Sequence, residues 1–275
     1  MRPPFPSPRP LRTVVVVPAR DEEDLLPAAL AALQAAVGEL HRHEPAHQVQ
    51  VVVVLDSCTD GSRAIIDANP WVSAVVVDVG RVGGARAAGV RQALESAGLT
   101  AKAEPVAAPT TVQAAWGGEG LDTLWVATTD ADSQVPPHWL TEQLRLARAG
   151  HHLVLGTVSP RPQDLAPHQL SAWRRDHDLA EGHPHVHAAN LGLSAACYVA
   201  VGGFADVALH EDVDLAARVV SRGWSWCATD RTRVLTSGRT TGRTPDGFAG
   251  WLRRARTPVS PLTTPQASRV SGLAG

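Results

Sequence analysis

Five short apolar runs, at 13–17, 49–55, 73–79, 124–128 and 153–158, punctuate the first part of the chain. The first two read TVVVV and VQVVVVL, with no polar residue at every second position over most of their length. A strand with one wet face alternates, so a run apolar throughout is expected to be buried on both faces, as in a parallel sheet. Such a sheet needs a helix layer on each side. Helical spacing duly follows the runs: Leu25, Leu26, Ala29, Leu30, Leu33, Ala36, Val37 and Leu40 recur at i, i+3 and i+4. Further helices are expected at 63–68, 85–97, 137–149 and 213–222, and another strand at 186–193. Strand–helix alternation implies parallel βαβ units. The expected fold class is α/β: a Rossmann-like, mostly parallel central sheet flanked by helices, in one domain over residues 12–257.

Other segments fall outside this rhythm. Residues 1–11 are proline-rich and read as a flexible leader, with no apolar stretch of the kind a signal peptide carries. Residues 98–121 are rich in Ala, Pro, Thr and Gly and read as a surface insertion; residues 258–275 read as a disordered tail. The formal net charge of −2 gives no electrostatic case for nucleic acid as partner. No apolar run approaches the ~20 residues that span a bilayer, which leaves only peripheral membrane contact open. Cys58, Cys197 and Cys227 are scattered, with no C-x-x-C, as expected of a reduced, cytoplasmic protein.

The carboxylates carry the chemistry. Asp130 and Asp132 lie just past the end of an expected buried strand, the edge where open parallel sheets bind ligands. In an extended segment, residues two apart point the same way, so the pair offers hard oxygen ligands for Mg²⁺ or Mn²⁺. Turn and cap chemistry ahead of Pro136 and Pro137 would use the same residues. Glu211, Asp212 and Asp214 contain a candidate general base, and they equally suit the acidic start of a helix. Asp56 follows the second strand and sits at the same edge, where an Asx turn is the alternative use. Residues 80–86, GRVGGAR, combine glycines with Arg86, which can pair with phosphate. They lack G-x-G-x-x-G, and neither a P-loop nor a G-x-S-x-G elbow occurs in the chain. His183, His185 and His187 alternate and would share one face of a strand; a solvated or ligand-facing loop fits them better than zinc.

Taken in order, these segments resemble the family-two glycosyltransferases of the GT-A fold. VVVVPARDEE resembles that family's opening strand and P-x-x-N-E-E turn. VVVVLDSCTDGS resembles its nucleotide-contacting stretch, and GGARAAG its phosphate-side loop and helix start. TTDADS resembles the metal-binding D-x-D, and GGF followed by HEDVDL its acceptor-side turn and catalytic E-D. The match covers roughly residues 12–226. It implies a nucleotide-diphosphate sugar as donor, a small-molecule acceptor and a divalent cation. Glu22 and Asp56 would contact the nucleoside, and Arg86 the diphosphate or base. Asp130 and Asp132 would hold nucleotide and metal. Asp212 would be the base of an inverting displacement, with Glu211 and His210 shaping the acceptor side. Arg239, in the 237–243 stretch, would close over the diphosphate or else belong to a basic surface loop. Asp21 stands where the family usually has Asn, and Leu55 where it often has Asp. The absence of Q-x-x-R-W argues for a non-processive enzyme.

Two other functions remain in view. A sugar nucleotidyltransferase also combines such a sheet with acidic metal ligands, but it would carry a glycine-rich, lysine-containing loop where this chain has PARDEE. A non-catalytic nucleotide-sugar-binding protein would not need Asp130, Asp132 and Asp212 together.

Overall fold

The computed structural model describes residues 7–101, 116–117, 120–177, 179–207 and 209–239. The tail expected at 258–275 and most of the insertion expected at 98–121 lie outside the described residues. In chain order the elements are β1 (Arg12–Ala19), α1 (Leu26–His43), β2 (Gln48–Asp56), α2 (Ser62–Asp67), β3 (Val72–Val77), α3 (Val82–Ser96), β4 (Thr100–Ala101), β5 (Trp116–Gly117), β6 (Leu124–Thr128), β7 (Ser133–Gln134), α4 (Trp139–Arg148), β8 (Leu153–Pro160), α5 (Pro167–Asp176), β9 (Leu191–Ser194), α6 (Ala195–Ala200), α7 (Glu211–Ser221) and β10 (Trp226–Thr236).

Eight strands form one sheet in the order β3-β2-β1-β6-β9-β8-β10-β7, while β4 and β5 pair separately. The β3-β2-β1-β6 half is parallel throughout. Beyond it β9 runs antiparallel to both neighbours, and β8 and β10 are parallel to each other. The β-branched runs behave as their composition demands. Val14, Val16, Val52 and Val54 enter one core, with Ala85, Val90 and Leu94 of α3 and Leu215 and Val219 of α7. Val15, Val17, Val51 and Val53 enter the other, with Leu26, Leu30 and Leu33 of α1 and Trp139, Leu140 and Leu144 of α4. Each strand thus loses solvent on both faces, at roughly 1.5–3 kcal/mol per fully buried valine or leucine.

Register brings the parallel strands to a common edge. Val16 of β1 pairs with Thr128 of β6, and Ala19 with Leu55 of β2. The chain therefore leaves β1, β2 and β6 on the same rim, just before Glu22, Asp56 and Asp130. A buried amide ties β10 into this frame. Asn190 accepts a hydrogen bond from Trp139 Nε1 at 2.8 Å and donates to the Thr157 and Thr232 carbonyls, both at 2.7 Å. Gly156 lies so close to that amide that any Cβ there would collide with it.

Several boundaries differ from the expected ones. The helix expected at 85 begins at Val82, so Gly83 and Gly84 occupy its first turn. The helix expected at 213 begins at Glu211, which puts Glu211 and Asp212 in its first turn. The strand expected at 186–193 is confined to Leu191–Ser194. The acidic run at 21–24 contributes nothing to the first turn of α1. It binds the neighbouring loop instead: Asp21 Oδ1 accepts the Thr59 N–H at 2.7 Å, and Glu23 Oε2 the Gly61 N–H at 2.6 Å. Among the described residues no helix is long and apolar enough to cross a membrane.

Candidate active site

Among the described residues, three that are not glycine have positive φ: Asp21 at 48°, Ser57 at 54° and His210 at 60°. All three stand at loop corners beside the carboxylates singled out above. The left-handed region costs an L-residue energy, and such residues cluster where surrounding structure holds a functional geometry.

Arg86, on α3, forms the centre of the rim. Its side chain is only 4% exposed, and it reaches Asp130 Oδ1 at 2.5 Å with one terminal nitrogen and Glu211 with the other. Gly83, one turn earlier, lets Glu211 lie against α3: a Cβ at 83 would sit 3.0 Å from the Glu211 side chain. Burial pushes the Glu211 carboxyl above its ordinary pKa, and Arg86 opposes that rise. The guanidinium thereby joins the end of β6 to the start of α7.

A second guanidinium closes the other side. Arg239 follows β10 and pairs with both oxygens of Glu22, at 2.6 and 2.7 Å, and its Nη2 lies 3.1 Å from Asp132 Oδ2. The other Asp132 oxygen lies 3.1 Å from Ser133 Oγ and accepts from Thr236 Oγ1 at 3.2 Å. Burial and the Asp130 charge push the Asp132 carboxyl up to about 6, with Arg239 opposing them. The D-x-D is not extended as expected: it forms a turn in which the Ser133 N–H donates to the Asp130 carbonyl at 3.1 Å. The two carboxylates accordingly lean toward different arginines, Asp130 to Arg86 and Asp132 to Arg239. Next to them a cleft of about 510 Å³ is lined by Asp21, Glu22, Arg161, Asp164, Gly238 and Arg239, among others.

Asp56 is buried at the end of β2, where its Oδ1 accepts the N–H groups of Val79 and Gly80 at 2.9 and 3.1 Å. It thus holds the loop that leads into α3. Asp212 is half-buried, and its Oδ2 accepts the Ala188 N–H at 2.8 Å. That bond ties the base candidate to the segment following the histidines.

Neither a protein-family model nor a curated protein matches the chain. Solved structures do. Residues 1–349 of S. aureus TarS align with a TM-score of 0.53 and 14% identity, covering 83% of this chain and 61% of that one. The same TarS segment in complex with UDP aligns with a TM-score of 0.53 and 13% identity, covering 82% and 60%. Mannosyltransferase PcManGT from Pyrobaculum calidifontis, in complex with GDP-Man and Mn²⁺, aligns with a TM-score of 0.51 and 20% identity, covering 90% and 63%. The chain thus spans less than two thirds of the length of these structures. This is the GT-A fold.

Within the GT-A fold the histidines form a feature the sequence only hinted at. His183, His185 and His187 share one side of an irregular segment that is not a strand, with ring centroids 5.7 and 6.0 Å apart in sequence order. His177, which caps the end of the unexpected α5, extends the row, 5.5 Å from His185 and stacked on Trp173 at 3.3 Å. Among the described residues they do not gather three ligand atoms within 4.8 Å of one another; Asp21, Cys58 and Asp60 do. Those two aspartates are already engaged by loop N–H groups.

Burial pushes His187 down to about 4, against the attraction of Asp212; His177 and His183 are also lowered by burial. Below an unfolded pKa near 6.5, the unfolded chain binds protons that the folded His187 refuses. Its stabilising contribution is therefore full above about 6.5 and declines toward 4, by up to roughly 3 kcal/mol. Asp132, with its raised pKa, acts in the opposite sense over part of this range. Replacing His187 by Gln is expected to flatten the loss of stability between pH 6.5 and 4, measured by urea unfolding. An unchanged slope would show that His187 does not titrate this way.

Arg239 is a candidate from the sequence, but the strand β10 that leads to it is not expected there. Its burial alternates at the end, with Thr232, Val234 and Thr236 inside and Arg231, Arg233 and Leu235 outside. Two of the three inward residues are threonines, so the period of two is hidden from any hydrophobicity pattern.

Proposed function

We propose that this chain is a glycosyltransferase, moving a sugar from a nucleotide-diphosphate donor to a hydroxyl of a small acceptor by an inverting, non-processive displacement. One observation carries the reading: carboxylates far apart in sequence meet on one rim around two guanidiniums. Arg86 joins Asp130 to Glu211, and Arg239 joins Glu22 to Asp132. These hard oxygen donors suit one divalent cation, Mg²⁺ or Mn²⁺, held by Asp130 and Asp132. When bound, the cation neutralises the diphosphate as leaving group. The PcManGT complex with GDP-Man and Mn²⁺ is consistent with such a ligand pair, and the TarS complex with UDP is consistent with its nucleotide part.

The residues divide the work. Glu22 and Asp56 line the nucleoside side, and Arg86 orients Asp130 toward the diphosphate. Arg239 and the 237–239 segment close over the donor. The oxygen of the acceptor hydroxyl attacks the anomeric carbon, the bond to the diphosphate oxygen breaks, and Asp212 takes the hydroxyl proton. Glu211, pinned by Arg86, sets the position of Asp212 at the helix start, and the histidine row borders the acceptor side.

A ligand that binds only the folded state raises its melting temperature. A panel of nucleotide sugars screened with and without Mn²⁺ is expected to give cation-dependent stabilisation, lost in Asp132→Ala. Nucleoside diphosphate should then be released when an acceptor is added. Release of pyrophosphate from a nucleoside triphosphate and a sugar phosphate would instead identify a nucleotidyltransferase. Stabilisation without turnover across an acceptor panel would identify a binding protein.

A further inference from the structure

The two guanidiniums of the rim are not equivalent. Arg86 is enclosed between two carboxylates on the body of the domain. Arg239 keeps 35% of its side chain exposed and sits three residues past the end of β10. Side-chain hydrogen bonds tether its segment there: the Gly238 N–H donates to Asp164 at 2.8 Å, and the Arg239 N–H to Ser237 Oγ at 3.2 Å. Arg239 thus rests on contacts that can exchange, while Arg86 is packed in place.

Its partners define what that exchange would be. Hydroxyls of Thr236 and Ser133 surround Asp132 Oδ1, so Oδ2 is the oxygen to which Arg239 is applied. A divalent cation ligated by Oδ2 would share that oxygen with a guanidinium of the same sign, at a distance where like charges repel strongly. Phosphate oxygens are the natural alternative for a planar guanidinium fork, and the cleft that Arg239 lines opens beside it.

We infer that Arg239 is an internal counterion that competes with the divalent cation for Asp132 and, once displaced, pairs with the donor diphosphate. The inference rests on the proposed function and adds a coupling to it. Arg239 opposes cation binding in the free protein and favours the nucleotide afterwards, so cation and nucleotide bind together far better than either alone. Arg239 acts as a positioning residue, and the signature of the role is two effects of opposite sign from one substitution.

The test is a Mn²⁺ titration followed by electron paramagnetic resonance, on the full chain, with and without a nucleoside diphosphate. Wild type, Arg239→Gln, Arg239→Lys and Asp132→Ala are compared, with melting in EDTA as a check on folding. Arg239→Gln is expected to bind Mn²⁺ alone about tenfold more tightly than wild type and to bind the nucleoside diphosphate with Mn²⁺ about tenfold more weakly. Arg239→Lys should lie between the two on both measures. If Arg239→Gln binds Mn²⁺ alone no more tightly than wild type, while Asp132→Ala loses it, the counterion role is wrong and the cation site stands. If wild type binds Mn²⁺ no better than Asp132→Ala with nucleotide present, the cation site fails and the inference falls with it. A merely structural Arg239 would weaken both ligands together, and that result also overturns the proposal.

Discussion

Asp212→Asn is expected to lower turnover by about 10²–10⁴-fold, the usual contribution of a general base, while leaving donor affinity near that of wild type. The expectation follows from how Asp212 is held. Its Oδ2 accepts the Ala188 N–H and its Oδ1 the Val213 N–H, both at 2.8 Å, and the amide oxygen of asparagine can keep the Ala188 bond while giving up the one to the adjacent residue. The fold should therefore survive, and the capacity to take a proton should not. Steady-state kinetics, donor binding by calorimetry and a melting curve separate the alternatives. A variant with normal melting, normal donor binding and wild-type turnover would remove Asp212 from the chemistry. A variant with weakened donor binding would move it to the nucleotide side.

The largest effect on stability is expected from Arg86→Met. The Arg86 and Glu211 side chains are 4% and 8% exposed, and the same guanidinium reaches Asp130. Methionine fills much of the volume but leaves two carboxylates without their counter-charge, one of them deeply buried. Breaking a buried pair from one side costs roughly 3–5 kcal/mol, which for a domain of this size lowers the melting temperature by about 10 °C. Arg86→Met/Glu211→Gln should recover part of that loss, because the most buried carboxylate is then neutral. Arg86→Lys should recover less than its charge suggests, since one ammonium cannot span two carboxylates as a planar fork does. Denaturant unfolding of the double-mutant cycle measures the coupling. Additive effects of the two single substitutions would mean that Arg86 and Glu211 do not depend on each other.

The two predictions concern opposite ends of one arrangement. Asp212 is held by two backbone N–H groups, while Glu211, one residue earlier, is held by Arg86. This places two adjacent acids in different roles: a buried, ion-paired one that fixes the start of α7, and a more accessible one beside it.

Short-range chemistry made a large part of the molecule legible in advance. Apolar runs without alternation permit only strands covered on both faces, so 13–17, 49–55 and 124–128 dictated a parallel sheet between helix layers, and the parallel connections then placed Asp56 and Asp130 on one rim. What required the tertiary structure was every pairing across long sequence distance: Arg86 with Asp130 and Glu211, Arg239 with Glu22 across 217 residues, and the row of imidazoles assembled from the residue that caps α5 and an irregular loop. The strand β10 also stayed hidden, because Thr232 and Thr236 fill two of its three alternating inward positions and carry no hydrophobic signal. Local sequence sets backbone preference and which faces must leave water; which charges meet once they have done so depends on how distant segments pack.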